Sequence, residues 1–140
     1  MKFMNAKYFF DTNILLYAVS AEPKEFAKTE IAPQLLQKGG FGTSVQVLQE
    51  FYVNATRRIS KPYSKTKAIV FMEWLAEFPI LPIAAPLVLE AIEMQERFQI
   101  SYWDAAIIAA AHELKASILY TEDLNHGQKY GEVQAINPFK

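Results

Sequence analysis

The 140-residue chain contains no cysteine. That absence excludes disulfides, thiolate nucleophiles and Cys-type zinc sites, and it fits a reducing compartment. Histidine is nearly as scarce, with His112 and His126 the only imidazoles. The longest purely apolar run, Ala105 to Ala111, falls far short of the ~20 residues that a membrane span needs. Met1 to Phe10 lacks the layout of a signal peptide, so the expected location is the cytoplasm, with no membrane contact. A net charge of -1 gives no global pull toward nucleic acid, so any such binding must come from a local basic patch. Aspartate is the remaining scarcity. Asp11, Asp104 and Asp123 are the only three, and each stands where an apolar strand ends or an apolar helix begins, whereas glutamate is scattered. Confinement to junctions points to a chemical requirement, and a hard metal ion fits it.

What is present is apolar. Residues of that kind make up 51% of the chain and aromatics 14%, enough to bury the core of one domain spanning 1–140 without staples. Tyr8-Phe9-Phe10 reads as a short strand, with Asn13 expected to N-cap the apolar turn Ile14 to Tyr17. A helix is expected from about Glu25 to Lys38, ended by Gly39-Gly40, before a very short strand at Phe41-Gly42-Thr43. Ser44 reads as the cap of a helix whose stripe Val47, Leu48, Phe51, Tyr52 and Ala55 closes near Arg58. Ser64 caps another, with Ala68, Phe71, Met72 and Leu75 inward, and Pro79 stops it before a strand at Ile80 to Ile83.

Pro86 suits the first turn of a helix supported by Val88, Ala91, Ile92 and Phe98, on which Glu93 and Arg97 are spaced for a surface pair. Ser101 with Asp104 resembles a capping box opening a helix over Trp103 to Lys115. Strands at Ser117 to Tyr120 and Val133 to Ile136 complete the pattern. Strands alternating with helices predict an α/β domain with a parallel or mostly parallel central sheet and right-handed crossovers.

In such sheets, ligands bind beyond the carboxyl ends of the strands. Asp11 and Asp123 fall there directly, and Asp104, in the first turn of its helix, faces the same edge. Each has an ordinary explanation alone: an Asx turn for Asp11 and Asp123, and a carboxylate at a helix N-terminus for Asp104. Glu50 alone reads as a solvated helix residue. Jointly, carboxylates gathered at one rim repel unless a cation neutralises them. All-oxygen ligation suits Mg²⁺ or Mn²⁺, and Mg²⁺ bridges readily to substrate phosphates, which is phosphodiester chemistry. Arg57, Arg58, Lys61, Lys65 and Lys67, with Tyr63 among them, form the densest basic segment and can hold a phosphate backbone. His112 is expected at the edge of the core, His126 in a loop, and Trp74 and Trp103 in packing rather than in base stacking. A phospho-acceptor receiver domain fits poorly, because no acid pair ends the first strand and no lysine ends the later ones.

Several segments, in order, resemble the PIN-domain family, particularly its VapC-like toxin ribonucleases. They are Tyr8-Phe9-Phe10-Asp11-Thr12-Asn13, Thr43-Ser44 with Glu50, Tyr102-Trp103-Asp104 with the following run to Ala111, and Leu119-Tyr120-Thr121-Glu122-Asp123. The resemblance implies a three-layer α/β/α, flavodoxin-like fold and an acidic quartet, Asp11, Glu50, Asp104 and Asp123, supported by Thr12, Asn13, Ser44 and Thr121. It also implies a Mg²⁺-dependent endoribonuclease, with Mn²⁺ an alternative ion, acting on RNA, commonly as a homodimer held in check by an antitoxin. Asp11 and Asp104 would be the principal metal ligands, Glu50 and Asp123 would ligate directly or through water, and Asn13 would orient Asp11 or substrate. Apart from the resemblance, Arg57, Arg58 and Lys61 of the basic segment are the residues expected to touch RNA. Glu122, beside Asp123, is a second candidate for the fourth acid. The alternative is a non-catalytic module of the same fold that binds RNA or protein.

Overall fold

The computed structural model describes residues 4–58 and 62–140. Strand β1 (Tyr8–Phe10) passes at once into helix α1 (Thr12–Val19), and a 3-10 turn at Pro23–Glu25 leads into α2 (Phe26–Lys38). Next come β2 (Phe41–Ser44), α3 (Val45–Val53), a π-helical turn at Asn54–Arg58, α4 (Lys65–Leu75) and β3 (Ile80–Leu81). Helices α5 (Ala85–Phe98) and α6 (Tyr102–Glu113) precede β4 (Ile118–Tyr120), β5 (Lys129–Tyr130) and β6 (Val133–Ile136).

The strands form one sheet in the order β3-β2-β1-β4-β6-β5, parallel except for the edge strand β5, which runs antiparallel to β6. The chain therefore winds outward from β1 through β2 to β3, then returns to the other side of β1 with β4. The crevice between β1 and β4 is the point where the winding reverses, the usual ligand position in sheets of this kind. Helices cover both faces, giving the α/β/α layering expected from the alternation of strands and helices.

Burial explains the short strands. Phe9, Phe10, Phe41, Phe51 and Leu119 are inaccessible to solvent or nearly so, and each such side chain contributes about 1.5–3 kcal/mol by leaving water. Phe41 stacks between Phe10 and Phe78 at ring separations of 4.6 and 4.2 Å. Beside it, Gly42 has no room for a side chain, because an added Cβ would lie 2.9 Å from the Pro79 carbonyl oxygen and 3.0 Å from the Ala6 Cβ. Helix α6 is buried on every side from Ala105 to Ala111, rather than along one stripe. The small alanine side chains let it pack closely against the sheet and α5.

Several local expectations change. Helix α1 starts earlier than expected and is capped by Asp11, not Asn13, since the chain turns immediately after Phe10 and presents the Thr12 N–H to the Asp11 carboxylate. Strand β3 ends at Leu81 instead of Ile83, with Pro82 next in the chain. The Glu93–Arg97 pair does not form: among the described residues Lys28 pairs with Glu122, and His112 Nδ1 lies 2.8 Å from Glu90 Oε1. His112 is accordingly exposed and tied to α5, not lodged at the core edge. The loop histidine, His126, accepts a 2.9 Å hydrogen bond at Nδ1 from the Asn137 N–H. Ser44, Ser64 and Ser101 cap their helices as expected.

Candidate functional site

Asp11 leaves the end of β1 at the crevice between β1 and β4, and its side chain is buried. Its Oδ1 accepts a 2.7 Å hydrogen bond from the Thr12 N–H, and its Oδ2 accepts one of 2.7 Å from the Thr121 hydroxyl, just past the end of β4. Thr121 Oγ1 in turn accepts from the Asp123 N–H at 3.1 Å. These bonds favour the carboxylate, yet the loss of water outweighs them. Burial, helped by the charges of Asp123 and Glu50, pushes the Asp11 carboxyl up to about 7.

Glu50 and Asp123 act on it through their charge, and Asp104 acts on those two. Glu50 projects from the exposed side of α3, where the Gln46 amide donates to its Oε1 at 3.2 Å. Asp104 lies in the first turn of α6, half-buried, with its N–H held by the Ser101 hydroxyl at 3.1 Å. Asp123 follows β4 and accepts a long, 3.4 Å bond from the Asn13 amide. Glu50 and Asp123 retain contact with solvent, but both are held above the usual carboxylate range. Partial desolvation acts first, followed by the surrounding negative charge: Asp123 and Asp104 act on Glu50, while Asp104 and Glu122 act on Asp123. Asp11 thus feels Asp123 and Glu50, and these two in turn feel the charge of Asp104.

Glu122 faces elsewhere. Its Oε2 lies 2.6 Å from Lys28 Nζ and its Oε1 accepts from the Tyr17 hydroxyl at 2.6 Å, so it is committed to α1 and α2. Asn13 reaches Asp123 and not Asp11. Of the supporting residues, Thr12, Ser44 and Thr121 are buried. Ser44 is spent on capping α3 through the Val47 N–H at 3.3 Å. Arg57 is exposed in the π-helical turn, whose last residue is Arg58, and Lys61 lies outside the described residues.

The site has the donors for a hard cation. It offers carboxylate oxygens without sulfur or imidazole, and two oxygens beside Asp11, Thr12 Oγ1 and Asn13 Oδ1, are buried without a hydrogen-bond partner among the described residues. Such oxygens call for a water or an ion. Among the described residues, no three His, Asp or Glu are grouped tightly enough to enclose an ion.

The PIN-domain family model matches residues 8–132, nearly the whole chain. The chain belongs to the PIN-domain family. Solved structures similar to this PIN domain include a toxin-antitoxin complex from Klebsiella pneumoniae, at 20% identity and a TM-score of 0.70, covering 94% of this chain and 97% of that one. Mycobacterium tuberculosis VapC20, a sarcin-ricin loop cleaving toxin, matches at 20% identity and a TM-score of 0.64, over 83% of this chain and 89% of that one. VapBC2 from Rickettsia felis, bound to a DNA fragment from its promoter, matches at 21% identity and a TM-score of 0.61, over 91% and 96%. At these identities the likeness is one of fold. None of the curated proteins compared matches the chain. Among the described residues, no helix of this PIN domain is long and apolar enough to cross a membrane.

Exposure is where the sequence misleads. Trp74 packs on one side, with its ring 5.0 Å from that of Phe78 and 5.9 Å from that of Phe71, while 40% of it stays exposed. Trp103 departs further from the expectation, because 68% of it is open to solvent at the mouth of α6, next to Asp104. Helical spacing identifies which residues share a face but not whether anything covers that face.

Proposed function

We propose that this PIN domain, as one domain over 1–140, is a cytoplasmic metal-dependent endoribonuclease, the toxin of a toxin-antitoxin pair. One observation carries the reading: a buried acid, Asp11, stands at the reversal point of the sheet with its carboxyl raised by burial and by the charges of Asp123 and Glu50, which themselves feel Asp104. An uncompensated cluster of this kind costs stability, and a divalent cation offsets that cost. The structural neighbours named as a toxin-antitoxin complex and as a sarcin-ricin loop cleaving toxin support the assignment to that class.

Asp11 and Asp104 would hold the ion, Mg²⁺ or Mn²⁺, with Glu50 and Asp123 reaching it directly or through water. When bound, such an ion neutralises phosphate charge and promotes deprotonation of a water for attack on phosphorus. Thr121 and the Thr12 N–H keep the Asp11 carboxylate in one orientation, and Asn13 steadies Asp123. Capping by Ser101 fixes the first turn of α6 and so the direction of Asp104. Arg57, with Arg58 and Lys61, would hold the RNA backbone by charge. Asp123 is favoured over Glu122 as the fourth acid because Glu122 is already occupied by Lys28 and Tyr17.

A homodimer and an antitoxin are the expected partners. Ile69, Val70 and Trp74 on α4 and Leu89 and Ile92 on α5 leave apolar surface exposed, which supports association with another chain. The spacing of the acids, with no trio at ligand distance among the described residues, favours a second reading. In it, the fold is a non-catalytic module whose acidic rim receives a basic side chain of a partner. Incubating the full chain with total RNA decides between them. Cleavage that needs Mg²⁺ or Mn²⁺, stops in EDTA and is absent in Asp11→Asn supports the nuclease, whereas full activity in EDTA with metal-free protein removes it. An unchanged RNA pool in Mn²⁺ favours the binding module.

A further inference from the structure

Beside the acidic rim lies a recess that shares Glu50 with it. It has a volume of about 340 Å³ and is lined by Gln46, Gln49, Glu50 and Trp103. Gln46, Gln49 and Glu50 stand at i, i+3 and i+4 on α3 and therefore share one face, across from the first turn of α6. Trp103 exposes 68% of its surface there, with the Tyr102 ring packed edge-on at 5.1 Å to hold it. The indole belongs to the residue next to a candidate metal ligand, and its open face is available to stack a planar ligand.

We infer that the recess between α3 and the start of α6 is a nucleobase subsite, in which an unpaired RNA base stacks on Trp103 and meets the amides of Gln46 and Gln49. The inference rests on the ribonuclease reading and adds to it how the substrate is positioned. Three observations favour a base as the occupant. An indole face accepts any base by stacking, and unpaired RNA is recognised in this way. A glutamine amide carries both donors and an acceptor, the complement of a base edge. Finally, Gln46 already bonds to Glu50 at 3.2 Å, so the recess is continuous with the rim where the phosphate would lie. A base held there leaves its own phosphodiester beside the four acids.

Fluorescence and kinetics test it together. The chain has two tryptophans, so Trp74→Phe makes Trp103 the sole indole reporter. In a Trp74→Phe/Asp104→Asn protein with Mg²⁺, a short unstructured RNA should quench Trp103 emission, and an abasic strand of equal length and charge should not. In the otherwise unaltered chain, Trp103→Ala should raise KM for RNA cleavage by roughly 10- to 100-fold with kcat nearly unchanged, and Trp103→Phe should restore most of the loss. Gln49→Ala should shift the preference among bases at the cleavage position. Equal quenching by the abasic strand, or an unchanged KM in Trp103→Ala, overturns the subsite. RNA cleavage without any base-dependent quenching is the pattern of a recess that seats a protein segment, and it also overturns the subsite. Base-dependent quenching in a chain whose wild type cuts no RNA supports the subsite and overturns the nuclease reading alone.

Discussion

The Thr121 hydroxyl donates a 2.7 Å hydrogen bond to Asp11 Oδ2, joining the ends of two neighbouring parallel strands across 110 positions of sequence. Both groups are buried, so the bond sets where the carboxylate points and how readily it ionises. Thr121→Val removes the donor and leaves a carboxylate oxygen unpaired, which should cost about 1–3 kcal/mol, read as a lower urea midpoint. Because the lost bond favours the anion, the Asp11 carboxyl rises further, and the acid limb of the pH–activity profile should move to higher pH. Thr121→Ser should restore both.

Asp11 also makes the metal-free protein sensitive to pH. Its carboxyl stands near 3.8 unfolded and is raised to about 7 by burial in the fold. The native state therefore binds the proton more tightly, and this contribution is fully present below about 3.8 and lost as pH rises through 7. The loss is on the order of a few kcal/mol. In EDTA, Asp11→Asn should remove most of that slope and unfold at higher urea than the wild type at pH 8. Retention of the wild-type slope in the variant would show that another group is responsible.

Addition of metal should reverse the same penalty. At pH 8, millimolar Mg²⁺ should raise the Tm of the wild type in a concentration-dependent way, as expected for a ligand that binds only the folded state. Asp11→Asn and Asp104→Asn should blunt that rise, and EDTA should abolish both it and RNA cleavage. Calorimetric titration of the two variants checks the binding without reference to catalysis.

The fourth acid can be separated from its neighbour by two substitutions. Glu122→Gln weakens a partly exposed ion pair with Lys28, so stability should fall by less than about 1 kcal/mol and RNA cleavage should persist. Asp123→Asn should lower cleavage by at least ten-fold while leaving the Tm near the wild-type value or above it. Inverted results would assign the role to Glu122.

Close packing at β2 gives a prediction independent of chemistry. Gly42→Ala forces a methyl group against the Pro79 carbonyl and Ala6, and an overpacked core of this kind costs about 1–3 kcal/mol. Chemical denaturation measures it directly. A neutral result would mean that the Pro79 turn moves aside freely.

The residues differ in how legible they are. Asp11 and Asp123 can be placed at the rim because Tyr8-Phe9-Phe10 and Ile118–Tyr120 are short apolar strands whose ends are visible as abrupt polar corners. Asp104 follows from the buried run that it precedes. Glu50 does not, since spacing along α3 marks it as an ordinary solvated residue, and only the family pattern selects it. The role of Asp11 as the cap of α1 was hidden because Asn13 is an equally good capping residue, and the choice depends on how sharply the chain turns after Phe10. The anchoring of Glu122 by Lys28 and Tyr17 is a contact across 94 and 105 positions, beyond the reach of local pattern. Strand β5, two residues long, is too short to show alternation at all.

The order of the sheet also has a consequence during synthesis. Asp11 is made 110 positions before Thr121, ahead of its partner strand β4 and the Thr121–Asp123 corner, and β4 is itself flanked by the still later β6. No nascent fragment ending before that corner contains the acidic crevice. A chain that acts on RNA as proposed would thus acquire its crevice only once β4 and the corner after it are made, a delay written into strand order.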